Sequence, residues 1–330
     1  VTKIERIIVQ SSPFTFIADK SKHIVLPGFY GVPLYDAFNF FLGELKKSGL
    51  NARAKSISFD FAMAIPGVLI CIFTVIPYLP ISKQFTKELL RLTRHITPNQ
   101  NSYNFVNSFL TDFLNTPRVG LLSFSFVLVI FYASNAMLSI IKTFDFAIYK
   151  QRRNTSFIKK RIKAISLTIV VLGLVIGTIL LLIGQGLLFD HIMKWLKIKG
   201  SDVLWVSTIR WILTIGLFFY SISFIYKYAP TVKKRWQTIS PGSVLATFLM
   251  IATTSGFSFW VNHFNNYNKI YGSLGTILIL MFLIYLNSLI LLIGFELNLS
   301  ITVLKKQADW RKHKEQVRIE KVETFRNERI

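Results

Sequence analysis

Glu296 is a carboxylate set inside the nearly unbroken apolar run SLGTILILMFLIYLNSLILLIGFELNLSITV, residues 273–303. A carboxylate in hydrocarbon is costly, so it is expected to face protein or a wet cavity. Three roles compete for it: a hydrogen-bonding anchor between helices, a proton-coupling or substrate-binding group in a transport path, and a contact to lipid headgroups. At 100° per residue Tyr285 and Ser300 share its side of a helix, while Asn287, Gly294 and Asn298 share nearly the opposite side. A helix with two polar stripes is expected at the centre of its bundle. Seven residues separate Glu296 from the end of the run, which sets it about 10 Å inside the inner boundary. Arg210 is a counter-ion by type, but its depth counts from the opposite face, and it is expected to snorkel outward between Trp205 and Trp211. Asp60, near Lys55, has a depth similar to Glu296 and is a candidate second acid of an inner vestibule. The candidate substrate-binding or proton-coupling set is therefore Glu296, Asn298, Tyr285 and Asp60.

Other chemistry is sparse. His23, His95, His191, His263 and His313 are scattered, and no HxH, HxxxH or paired-carboxylate motif occurs. His95, His191 and His263 fall on the expected outer side with Asp190 and Asp202; scattered interfacial histidines are preferred there to a metal site. The single cysteine, Cys71, makes neither a disulfide framework nor a thiolate cluster. No GxxxxGK[ST] phosphate loop is present. No catalytic group, metal or cofactor is expected, and the chain is not expected to be an enzyme.

The elements that hold these residues follow from composition. Hydrophobic residues make up 52% of the chain and charged ones 17%, too apolar a balance for a soluble basic protein. Six apolar stretches, 57–81, 119–141, 166–189, 203–226, 243–264 and 273–303, each come near the ~20 residues that a helix needs to cross a bilayer. They are apolar on all faces, unlike the short alternating strands of a membrane barrel or the half-polar helices of a soluble core. The expected fold is an all-α integral membrane protein, a six-transmembrane-helix bundle with an N-terminal amphipathic helix and both termini cytoplasmic. Of 39 Lys and Arg residues, 29 fall in the two tails and the second and fourth connections, which the positive-inside rule places in the cytoplasm. Trp195, Trp205 and Trp260 fall at expected outer ends and Trp236 at an inner one. The net charge of +23 is accordingly read as topology beside anionic headgroups at the inner face, with membrane lipids as partners and no nucleic acid. The first 56 residues are mixed and charged and no signal peptide is expected.

Three regions result: a cytoplasmic segment 1–56, a transmembrane domain 57–303 and a basic cytoplasmic tail 304–330. In VPLYDAFNFFLGELKKSG, Leu34, Phe38, Phe41, Leu42 and Leu45 recur at helical spacing, which predicts a helix lying on the inner membrane surface. Residues 82–117 read as two short amphipathic helices capping the outer end. Gly173 and Gly177 form a GxxxG, followed by Gly184, and predict close packing within the bundle; a homo-oligomer is left open. In ISPGS, Ser240 is an N-cap and Pro241 a first-turn residue. Pro66 and Pro77 predict a kink in the first span.

Several stretches resemble the YihY/BrkB family of bacterial inner-membrane proteins. RAKSISFDFAMAIPG, YASNAMLSIIKTFDFAIY, RRNTSFIKKR, YAPTVKKRWQTISPGSVLA, NKIYGSLGTILILMFLIYL and IGFELN occur in the family's order, from about residue 52 to 298. Pro66, Pro230, Pro241, Gly242, Tyr271, Gly272, Tyr285, Glu296 and Asn298 stand at matching places. The resemblance implies six spans in the bacterial inner (plasma) membrane and a function described as transport or envelope maintenance; a former ribonuclease label has no support in these residues. Asp60 departs from a commonly apolar position and Asn135 from a frequent arginine.

Overall fold

The computed structural model describes residues 24–25, 27–47, 49–78, 104, 107–108, 111, 118–149, 156–183, 203–231, 236–263 and 267–327. Its helices are α1 (Leu34–Lys47), α2 (Leu50–Val75), α3 (Val119–Tyr149), α4 (Phe157–Ile183), α5 (Val203–Tyr228), α6 (Pro241–His263) and α7 (Tyr267–Asn327), with a 3-10 turn at Ile76–Tyr78. No strand occurs among the described residues. Six helices are long and apolar enough to cross a membrane: Leu50–Val75, Val119–Ile148, Phe157–Thr178, Trp211–Tyr228, Pro241–Val261 and Ile277–Glu320. The all-α, six-span architecture is therefore present. The expected outer helices at 82–117 lie almost wholly outside the described residues, as do His23, His95, His191, Gly184 and Trp195.

Four helices outrun their apolar runs on the side rich in Lys and Arg. α2 begins at Leu50, α3 continues to Tyr149, α4 begins at Phe157 and α7 continues to Asn327. Helical hydrogen bonds do not need hydrocarbon around them, and Lys, Arg, Gln and Glu are good helix formers, so the helix persists where hydropathy stops. The tail beyond residue 304 is thus a continuation of the last span.

The chain divides into two compact units, Val1–Lys55 with Thr143–Asn154 and Gly173–Ile330, and Ser56–Lys142 with Thr155–Leu172. In the second unit, Thr74 and Ser125 hydroxyls meet at 3.2 Å, and the backbone at Leu128 and Val129 stands 3.6–3.7 Å from where a Cβ on Gly67 would be. Pro66 is carried inside a continuous α2. Arg161 donates to the Asn135 side chain at 2.5 Å and sits 4.9 Å from the Phe131 ring centre. The guanidinium beside position 135 thus comes from α4.

In the first unit α7 is the axis. Ala37 and Phe41 of α1, with Phe29 and Val32 just before it, pack on Leu297 and Ile301, flanked by Leu34, Leu45, Ile293 and Leu304. Burying a phenylalanine contributes about 2–3 kcal/mol. Phe38 and Leu42 do not join them; they are 54% and 41% exposed and leave a second apolar strip on α1. Nothing among the described residues lies within 4 Å of a Cβ built at Gly173 or Gly177, so no described neighbour makes the close approach expected of that GxxxG.

Candidate functional site

The site is the stretch Leu291–Thr302 of α7, whose side chains diverge to several neighbours besides α1. Toward α6, Gly294 and Gly242 let two backbones touch. A Cβ at Gly242 would collide with the Gly294 carbonyl oxygen, and one at Gly294 would lie 2.5 Å from the Tyr226 hydroxyl and 2.8 Å from Ala246 Cβ. One turn further, Asn298 Oδ1 accepts the Gly242 N–H at 2.8 Å and its Nδ2 donates to Ser240 Oγ at 2.9 Å. Ser240 and Ser243 cap reciprocally: the Ser240 N–H donates to Ser243 Oγ at 3.1 Å, and the Ser243 N–H to Ser240 Oγ at 3.3 Å. The first turn of α6, whose N–H groups have no partners in their own helix, is thereby fastened to α7. Asn298, a candidate binding residue, spends both ends of its amide on this lock.

Toward α5 and the end of α3 lies an aromatic cluster. Phe144 stacks on Phe295 with centroids 3.7 Å apart, Tyr226 meets both edgewise, and Trp236 lies 5.1 Å from Phe295. The Tyr226 hydroxyl donates to the Leu291 carbonyl at 2.6 Å, and Trp236 Nε1 donates to Thr302 Oγ1 at 3.0 Å. Trp236, expected as an interfacial aromatic, is a half-buried packing residue. Beside it, a space about the size of one water is bordered by Trp236, Ser240, Asn298 and Thr302.

The third direction carries Glu296. It is 4% exposed, and its Oε1 accepts from Arg53 Nη2 at 2.8 Å. Arg53 stands in the first turn of α2, one turn before the apolar run begins, and its long side chain brings the guanidinium inward. The sequence offered Arg210 as counter-ion; the ion pair is made by Arg53, because α2 starts before its hydrophobic segment. Arg53 Nε is buried without a hydrogen-bond partner, and so is Ser300 Oγ, one turn below Glu296 on the same side. Tyr285 shares that side too, but about 16 Å away along the helix axis. Among the described residues its hydroxyl donates to Asn51 Oδ1, at 3.4 Å.

The fourth candidate, Asp60, belongs to the second unit and accepts a hydrogen bond from Ser139. Asp145, not singled out from the sequence, is 2% exposed and takes the Thr231 N–H at 2.8 Å and the Thr231 hydroxyl at 3.0 Å. It fastens the turn after α5, beside Pro230, to the end of α3. An acid between two phenylalanines in FDF was the available signal. Pro241 opens α6 as expected, whereas the side chains of Tyr271, Arg210 and His263 and the surroundings of Gly272 lie outside the described set. Among the described residues no three His, Cys, Asp or Glu side chains gather closely enough to hold a metal ion.

A family profile described as virulence factor BrkB matches residues 41–320. A ribonuclease-like protein, YfkH, of Bacillus subtilis is 30% identical over 264 residues, covering 78% of this chain and 92% of its own. A UPF0761 membrane protein of Tolumonas auensis is 25% identical over 273 residues, covering 79% and 84%. A further UPF0761 membrane protein, of Pseudoalteromonas translucida, is 32% identical over 91 residues, covering 28% of this chain and 30% of its own. No solved structure matches.

Proposed function

Since the chain belongs to the BrkB family of membrane proteins, we propose that it is a transport protein or lipid translocator of the bacterial inner membrane, acting on an anionic amphiphile. In this reading both termini, the basic connections and the extension of α7 are cytoplasmic. The observation that carries it is the buried Arg53–Glu296 pair. Removing two charges from water costs several kcal/mol per ion, and a pair held only for packing is replaceable by apolar side chains. Here the pair retains unspent capacity in Arg53 Nε and, one turn below, Ser300 Oγ. An entering anion competes with Glu296 for the guanidinium, and protonation of Glu296 frees it. The polar side-chain atoms of the α6–α7 lock are hydrogen-bonded, so the contact that changes in this scheme is the Arg53–Glu296 pair.

A second reading, a non-transporting structural or scaffold protein of the envelope, draws support from Asn298 and Asp145, whose partners are backbone and neighbouring side chains. The ribonuclease-like name of the Bacillus relative would call for a nucleophile with a base, or a metal cluster, and none of these residues is assigned such a role.

Native mass spectrometry of the purified protein and its Glu296→Gln and Arg53→Gln variants tests the proposal. A defined anionic adduct on the unaltered protein, lost from folded variants, is the expected result. Identical adducts on all three would move the assignment to the structural reading.

A further inference from the structure

The face of α7 that carries Glu296 continues beyond the membrane-spanning part. Spacings of four and three lead from Glu296 to Ser300, Val303, Gln307, Trp310, Lys314 and Val317, and α7 runs unbroken through all of them. Lys306, Arg311 and Arg318 flank this stripe, while Asp309, Glu315 and Glu320 fall about 100° or more from its centre at 100° per residue. The indole and four of the cations, Lys306, Arg311, Lys314 and Arg318, thus lie on the side continuous with the carboxylate, while Lys305 and Lys312 fall nearly opposite.

We propose that this face docks anionic phospholipid headgroups: Lys306, Arg311 and Lys314 hold the phosphate, and Trp310 packs beside it at the headgroup level. The assignment rests on the membrane orientation proposed above, not on transport. Trp310 is 69% exposed, and among the described residues Lys314 of its own helix is the contact given for its ring. Val303, Lys306, Gln307, Trp310, Arg311 and Lys314 line one open groove, and Lys314 Nζ stands 5.8 Å from the centre of the Trp310 ring. Depth selects lipid over a soluble acidic partner or RNA. The apolar run ends at Val303, and Trp310 lies about 10 Å further at 1.5 Å per residue. The headgroup layer adds roughly 6 Å to the hydrocarbon on each side, so Lys306 sits within it and the Trp310 backbone about 4 Å beyond it, from where side chains that lean toward the helix N-terminus reach back to lipid. A soluble partner would find the end of the groove nearest the membrane, at Val303 and Lys306, filled with headgroups.

The test titrates full-length protein in neutral detergent with fluorescently labelled phosphatidylglycerol and, separately, labelled phosphatidylcholine. The Lys306→Gln/Arg311→Gln/Lys314→Gln triple variant is expected to bind phosphatidylglycerol roughly 100-fold more weakly, each cation at an anionic surface contributing about fivefold. Phosphatidylcholine binding and the unfolding midpoint are expected to stay unchanged, because these side chains are exposed. Trp310→Ser is expected to weaken both lipids. Unchanged phosphatidylglycerol affinity in the triple variant overturns the proposal. So does an equal loss for phosphatidylcholine, displacement by inorganic phosphate at the lipid's own concentration, or an RNA oligonucleotide that binds this face more tightly than the lipid. Loss of phosphatidylglycerol in Glu296→Gln with none in the triple variant sinks this site and leaves the transport reading standing.

Discussion

At the scale of single residues, the Arg53–Glu296 pair makes the sharpest statement. Removing one partner deprives the other's buried charge of this counter-ion, at a cost of up to about 3–5 kcal/mol. Arg53→Gln and Glu296→Gln are each expected to lower the unfolding midpoint in detergent, and the double variant to recover much of the loss. A double variant as unstable as the sum of the singles would mean that the two side chains act separately. Glu296, Asn298 and Ser240 were legible in the sequence because a polar group in an apolar run, or a Ser-Pro before one, has few explanations. Arg53 was not, because it stands among other cations outside the hydropathy window and only the early start of α2 makes it a neighbour of Glu296. Asp145 was hidden the same way, in a helix extension that hydropathy assigned to a basic loop.

Among the elements, the α6–α7 crossing is the tightest contact described. Gly242→Ala places a methyl group on the Gly294 carbonyl oxygen with no flexible side chain to yield, so the helices must separate and the Asn298 lock with them. Overpacking of this kind typically costs 1–3 kcal/mol or more. The expected outcome is a sharp fall in membrane abundance. Normal abundance and an unchanged melting curve would mean that the crossing is looser than its geometry. Periodicity found the two polar stripes of α7 and hence its central position, since every stripe needed a neighbour. It did not tell which apolar residues of α1 face α7, because Phe38 and Phe41 look alike in sequence while only Phe41 is buried.

For the whole molecule, length and composition made the six spans readable, because a bilayer imposes one thickness on every helix that crosses it. The orientation is the corresponding prediction. With Cys71→Ser as background, a cysteine at Gln316 is expected to react with an impermeant maleimide in inverted vesicles and not in intact spheroplasts. Labelling in spheroplasts would reverse the proposed topology and, with it, the leaflet that α7 meets. The second unit was read less well: the hydrogen bonds of Asp60 and Asn135 depend on partners in other helices, Ser139 and Arg161, that no spacing rule connects.

The unbroken course of α7 also fixes a phase. Each residue added to or removed from a helix turns everything beyond it by about 100°, whereas seven residues bring it back to within about 20°. The bearing of Trp310 relative to Glu296 is therefore set by the count of residues between them, not by which residues those are. A one-residue insertion or deletion there would leave composition and charge almost untouched and still point the indole away from the side on which the carboxylate meets Arg53.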